Sequence, residues 1–352
     1  MRELPASGPS CTSNPASRPD SPIGAGHVPV LYQPVMDALE IRLGGRYVDG
    51  TVGAGGHAAG ILDAAGPGGR LLGLDRDPDA LSVAAKNLAR FGDQVVLVHG
   101  SFAEMRQLAT RNGFVEVDGI VLDLGLSSLQ MDRAERGFSF QHDGPLDMRF
   151  DPSAGLTAAD LVNGLSEQEL ADLLYRLGEE RDSRSVARAI VAARPLRSTY
   201  ELATVTAGAL RHREHDLHPA TKTFMALRIA VNQELEALSE ALPQALELLA
   251  PGGRLVVIAF HSLEDRIVKR YLAREARDCI CPPRMPVCSC GHRAMIRLLN
   301  RKPIRPDAPE VAQNPRSRSA RLRLAERVPT SAQTSDIPGT IHTTQSCQRM
   351  CQ

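Results

Sequence analysis

Short apolar runs alternate with stretches of helical periodicity along the first third of the chain. Arg46 to Val48, Arg70 to Leu74, Val95 to Val98 and Gly119 to Leu122 are β-type runs, each ending at a Gly, Asp or Ser, and helix-type patterns fill the gaps. Strands alternating with helices at this rhythm predict βαβ units and a buried parallel sheet. Ahead of them, Val35, Leu39 and Leu43 recur at spacings of four and predict a helix. Asp77-Pro78 suits a helix N-cap followed by its first residue. Between about residues 131 and 220 the strand pattern disappears. Ser166 to Glu169 is a capping box before Leu170, Leu173, Leu174 and Leu177, and Val186, Ile190 and Val191 mark another helix. One long helix is expected from Thr221, carrying Leu227, Val231, Leu235 and Leu238, until Leu249-Ala250-Pro251-Gly252-Gly253 stops it before a strand from Arg254 to Phe260.

This order predicts one α/β domain, residues 27–130 with 221–328, interrupted by a helical insertion at 131–220 that is expected to recognise substrate. The 352-residue length suits that division. Residues 1–26 and 329–352 are rich in small and polar residues with hardly an apolar anchor, and are expected to be disordered tails. We find no internal repeat. An apolar fraction of 43% and a charged fraction of 23% exclude a disordered, collagen-like or coiled-coil chain. Lys+Arg and Asp+Glu both total 41, so net charge gives no hint of a polyanionic partner. The apolar runs fall far short of the roughly 18 residues of a membrane span, and the N-terminus lacks a signal-like stretch, so a cytoplasmic protein without a membrane partner is expected.

Chemistry concentrates first in Asp49-Gly50-Thr51-Val52-Gly53-Ala54-Gly55-Gly56-His57, at a strand end that opens a helix. Glycines there let a ligand approach the backbone, and the helix start offers unpaired N–H groups. Asp75 closes the next strand, where a carboxylate accepts both hydroxyls of a ribose. Together they imply an adenosine-containing cofactor. Gly53, Gly55 and Ala58 also satisfy a dinucleotide fingerprint, but the acidic Asp49 would repel a pyrophosphate and suits the cationic amino-acid end of S-adenosylmethionine. The bland alternative is a glycine-rich turn without a ligand.

A resemblance then becomes specific. His27-Val28-Pro29-Val30-Leu31, Asp49 to His57, Asp123-Leu124-Gly125-Leu126-Ser127-Ser128-Leu129-Gln130, Arg136-Gly137-Phe138-Ser139-Phe140, Gly144-Pro145-Leu146-Asp147-Met148-Arg149, Phe260-His261-Ser262-Leu263-Glu264-Asp265-Arg266 and Asn314-Pro315-Arg316-Ser317-Arg318-Ser319 resemble the RsmH (MraW) family. The likeness runs from about His27 to Arg327. It implies a Rossmann-like class I S-adenosylmethionine-dependent methyltransferase with an inserted helical domain. The expected activity is methylation of N4 of a decoding-centre cytidine in bacterial 16S ribosomal RNA, with the RNA expected to be presented in the small ribosomal subunit. It also implies that Gly55, Gly56, His57, Asp75, Phe102, Asp123 and Gln130 line the S-adenosylmethionine site. Alternatives are an amino methyltransferase on another RNA or DNA, and a non-catalytic RNA-binding assembly factor.

Asp123-Leu124-Gly125-Leu126 departs from the Asn/Asp/Ser-Pro-Pro-aromatic signature of many amino methyltransferases. The cytosine amine is conjugated to its ring, and acceptors aimed at its N–H groups favour the tetrahedral nitrogen that can attack. Candidate acceptors are Asp123, the carbonyls of Leu124 and Gly125, and Asp147. His261, Ser262 and Asp265 do not form a hydrolase triad at this spacing; Ser262 with Asp265 reads as a helix cap, and His261 is a candidate to face the cytosine. The stretch around Arg136 and Arg149 mixes Phe, Asp and Arg as a base-stacking, phosphate-binding loop would. From Arg293 to Arg327 ten basic residues stand against three acidic ones, and Arg316, Arg318 and Arg321 are expected to touch RNA. Finally, four of seven cysteines, Cys279, Cys281, Cys288 and Cys290, form two C-x-C pairs. They are candidate zinc ligands, although structural sites usually show C-x2-C; reduced loop cysteines are the alternative.

Overall fold

The computed structural model describes residues 29–210, 218–282, 285 and 287–329. The two tails expected to be disordered lie almost wholly outside these residues, as do His27 and Val28. The alternating pattern of the first third becomes α1 (Tyr32–Leu39), β1 (Arg46–Asp49), α2 (Gly56–Ala65), β2 (Arg70–Asp75), α3 (Pro78–Asn87), β3 (Val95–His99), α4 (Met105–Arg111) and β4 (Val117–Asp123). Asp77 caps α3 through its side chain, with Pro78 at the first helical position, as its sequence predicts. α1 is shorter than expected. Glu40 adopts a left-handed conformation that ends it, and Leu43 beyond is 86% exposed.

After β4 come α5 (Ser128–Asp132), then α6 (Ala158–Gly164), α7 (Glu167–Gly178), α8 (Ser183–Ala192), α9 (Thr199–Ala209) and α10 (Thr221–Asn232). The capping box from Ser166 to Glu169 is present at the start of α7. These helices build a hydrophobic core of their own around Leu170, Leu174, Val186, Ile190 and Leu202. Phe224, Ala226 and Leu227 of α10 are buried in that core rather than against the sheet.

The single long helix expected from Thr221 is two helices, α10 and α11 (Glu234–Leu248), broken at Gln233, whose φ is 50°. β5 (Leu249–Ala259), α12 (Ser262–Glu275), β6 (Ile296–Leu298), α13 (Ala308–Gln313) and β7 (Arg321–Arg327) follow. The strand order is β3-β2-β1-β4-β5-β7-β6. β1 to β5 pair in parallel, and β7 runs antiparallel between β5 and β6. This is the Rossmann-like class I methyltransferase arrangement, with layers of helices covering both apolar faces of the sheet. The order reverses beside β1 and β4, so the carboxyl ends of those strands border a crevice where such sheets bind ligands.

β7 corrects one expectation. Its Arg321-Leu322-Arg323-Leu324 alternates with period two, and the leucines enter the core while Arg323 is 7% exposed. Part of the cationic stretch is therefore interior sheet. Among the described residues no helix is long and apolar enough to cross a membrane.

Candidate functional site

Three carboxylates converge at the strand ends. Asp49 closes β1, is 1% exposed and accepts the Thr51 N–H at 3.1 Å. Burial pushes its carboxyl up to about 7; nearby His57 opposes the shift, and Asp123 and Asp75 add to it. Asp75 at the end of β2 accepts N–H bonds from Gly53 and Asp77, each at 2.9 Å, and burial raises it as well. Asp123 ends β4, its N–H held by Thr51 Oγ1 at 2.7 Å. Its Oδ2 stands 3.5 Å from His57 Nε2, beyond hydrogen-bond alignment, and Oδ1 is buried with no hydrogen-bond partner among the described residues. Both His57 ring nitrogens are equally unsatisfied. Buried polar atoms without partners cost about 1–3 kcal/mol each, so the site is shaped for a polar ligand.

The turn from β1 to α2 lets that ligand approach. Gly55 has φ 87°, a region costly for any side chain, and a Cβ on Gly56 would sit 2.4 Å from the Pro29 ring. Gly53, Gly56, His57, Asp75, Phe102, Asp123 and Gln130 line one cavity of about 850 Å³.

A second cavity, of about 1020 Å³, adjoins it, and Leu126, Met131, Arg228, Phe260 and Arg316 border both. Phe138 and Phe140 line the second one, with Arg176, Arg181, Lys222 and Arg266. The wall between them contains an ionic knot. Arg228 of α10 is paired through two nitrogens with Glu234 of α11 at 2.7 and 2.8 Å. Burial would draw the Arg228 guanidinium down, but Glu234 more than offsets this, while burial holds Glu234 itself above the usual carboxylate range. Glu264 is buried too, yet lies below that range because His261, Arg228 and the Phe260 N–H stabilise its charge. Glu234, His261 and Glu264 could group around a metal ion, but both Glu234 oxygens already meet a cation in Arg228.

Several expected contacts have other work. Arg136 is 7% exposed; its guanidinium binds Asp77 at 2.8 Å and the carbonyls of Arg149 and Phe150, which leaves no face for a phosphate. Asp147 does not line either cavity, and Arg149 binds both its oxygens, at 3.0 and 2.7 Å. That pair occupies Arg149 equally. Ser262 does not cap α12: the cap is His261, whose Nδ1 accepts the Glu264 N–H while Glu264 accepts the His261 N–H. His261 does line the second cavity. Asp265 instead binds Arg323 at 2.5 Å and lies 3.6 Å from Arg321, so Arg321 is tied to α12. Arg316 and Arg318 are exposed on the turn before β7, and Arg316 pairs with Asp132 at 2.7 Å. Gln130 is 5% exposed and spends its amide on Ser127 and Asp77.

Sequence reasoning missed Arg228, Glu234 and Asn232. Asn232 donates to the Met148 carbonyl and accepts from the Phe150 N–H, both at 2.7 Å, clamping the loop below the cavities. Arg228 and Glu234 are six residues apart, a spacing that no continuous helix turns into a pair. The break at Gln233 was the signal needed, and no glycine announces it.

Comparison with known proteins adds the following. The model of the MraW methylase family matches residues 24–328. The chain is 52% identical over 302 residues to Ribosomal RNA small subunit methyltransferase H of Dehalococcoides mccartyi, covering 86% of each. It is 53% identical over 312 residues to the protein of that name from Thermomicrobium roseum, covering 88% of this chain and 96% of the relative. Among solved structures it is similar to a putative rRNA-methylase from Clostridium thermocellum, at 13% identity and a TM-score of 0.41, over 86% of this chain and 98% of that one.

Proposed function

Because the chain belongs to the MraW methylase family, we infer that it is an S-adenosylmethionine-dependent methyltransferase of small-subunit ribosomal RNA. The acceptor we assign is the N4 amine of a decoding-centre cytidine in 16S RNA, presented within the small subunit. The observation that carries the chemistry is the buried, unpartnered Asp123 Oδ1 beside two further carboxylates.

These residues fit S-adenosylmethionine. A site with Asp49, Asp75 and Asp123 favours a cation over a pyrophosphate, and two orphaned polar side chains need partners. Bound there, S-adenosylmethionine supplies an electrophilic methyl group. Asp49, buried and bordering neither cavity, acts on the ammonium end through its charge rather than by contact, and each Asp75 oxygen, already accepting one N–H, keeps a lone pair for a ribose hydroxyl. Phe102 walls the adenine. Gly53, Gly55 and Gly56 admit it close to the backbone, His57 flanks the carboxylates, and Gln130 shapes the wall.

The second cavity receives the flipped base from the side of the helical insertion, which recognises substrate, with Arg176, Arg181, Lys222 and Arg316 facing phosphate. Asp123, with the carbonyls of Leu124 and Gly125, accepts from the N4 amine as its nitrogen becomes tetrahedral, and the carboxylate takes the proton that the methylated amine must lose. His261, fixed by Glu264, positions the base. Asp147 has no part in this scheme.

Mass mapping of 16S RNA from cells lacking the protein should reveal one cytidine short of a methyl group, restored by the wild-type chain and not by Asp123→Ala. With saturating cofactor and RNA, that variant should transfer methyl at least about tenfold more slowly, or about 1.4 kcal/mol. An unchanged methylation map would refute the substrate assignment. A wild-type rate in the variant would move the acceptor to the backbone carbonyls.

A further inference from the structure

We propose that Cys279, Cys281, Cys288 and Cys290 form a structural zinc site, in which four thiolates pin the excursion between α12 and β6. The four sulfurs lie within 4.8 Å of one another, although the chain supplies them from two separate pairs. Cys281 to Cys288 is 3.9 Å, Cys288 to Cys290 is 3.6 Å and Cys290 to Cys279 is 3.8 Å. A tetrahedron of sulfurs at zinc–sulfur distances of about 2.3 Å has edges of about 3.8 Å. Disulfides would instead bring sulfurs to about 2.05 Å. The separations therefore match a shared ion.

Backbone donors surround the sulfurs as they do in thiolate sites. The Ile280 N–H donates to Cys290 Sγ and the Cys281 N–H to Cys279 Sγ, both at 3.4 Å. On binding a dication each thiol enters as a thiolate, its proton goes to solvent, and nothing is oxidised.

The ligand set closes at four. His292 stands 3.7 Å from Glu275, turned to α12 rather than joining the cysteine group. Four thiolates leave no open position, so the site is structural rather than catalytic. Its place in the fold explains the need. The Met295 N–H binds the Glu275 carbonyl at 2.9 Å and the Ala294 N–H binds Asp278 at 3.3 Å, which ties the ends of the excursion. Between them, among the described residues, Met285 and Val287 are exposed rather than packed in a core, and a metal does the work of one.

The test uses the full chain, purified under reductant without chelator and equilibrated with zinc. Elemental analysis should find about one zinc per chain, and the Cys279→Ser/Cys290→Ser variant should lose it while binding S-adenosylhomocysteine as the wild type does. Zinc should shield four of the seven cysteines from a thiol reagent, and chelation should expose them. Replacement of zinc by cobalt in the wild-type chain should give the intense sulfur-to-metal bands of a tetrahedral thiolate centre, a readout independent of how the variant folds. Absence of zinc after equilibration, equal thiol reactivity with and without zinc, or a cobalt spectrum lacking those bands would overturn the proposal, as would two disulfides among the four cysteines.

Discussion

Asp49 shows how one buried side chain couples fold and ligand. Its carboxyl is raised to about 7, so between its ordinary value and that pH the folded chain keeps a proton that the unfolded chain has released. The unliganded fold therefore loses stability as pH rises through that window. A cationic ligand needs the ionised form, so affinity moves the other way. S-adenosylhomocysteine should bind about fivefold more tightly at pH 7 than at pH 6, and calorimetry on Asp49→Asn should show that dependence flattened. An equal slope in the variant would place the titrating group elsewhere. Asp49, Asp75 and Asp123 were all legible in the sequence, because each ends an apolar run. Arg136 and Asp147 were misread because residue type reveals charge but not partner. Asp77 lies 59 residues from Arg136, and only folding brings them to 2.8 Å.

Among the elements, the break between α10 and α11 matters most to the site. Apolar spacing from Thr221 to Leu238 suits a continuous helix, and nothing at Gln233 contradicts it. Pairing between Arg228 and Glu234 requires the turn, and the exposed Gln233 takes a left-handed conformation to make it. Gln233→Gly removes that strain at the cost of a more flexible unfolded chain, and should stabilise the protein by a few tenths to about 1 kcal/mol in urea unfolding. A loss of stability would show that Gln233 contributes contacts that outweigh its backbone strain. The start of α12 carries a similar lesson at smaller scale. Ser262 and His261 are adjacent, both can cap, and the buried Glu264 chooses His261 because its carboxylate reaches that backbone.

Across the whole molecule, the neutral total of charges hides a division of labour. Arg323 and Arg321 engage Asp265, and Arg297 binds Glu326, whereas Arg316, exposed and paired with Asp132 at the surface, borders both cavities and Arg318 is exposed on the same turn. Replacing Arg316 and Arg318 by Gln should lower the salt dependence of RNA binding by about 0.7 per lost phosphate contact while leaving cofactor affinity unchanged. Filter binding across a salt series reads this directly, and an unchanged slope would assign the phosphate contacts to Arg176, Arg181 and Lys222. By itself the sequence determined β1 to β4, most of β5, the glycine turn and the three carboxylates, since period and turn chemistry are local properties. It also held the period-two alternation of β7, where the high charge of Arg321 to Arg327 obscured a strand pattern. Tertiary structure alone decided which charges are struts and which line a cavity, where α10 turns into α11, and that four cysteines from two pairs meet. Those outcomes depend on burial and on distances between residues remote in sequence, and neither is written in any local pattern.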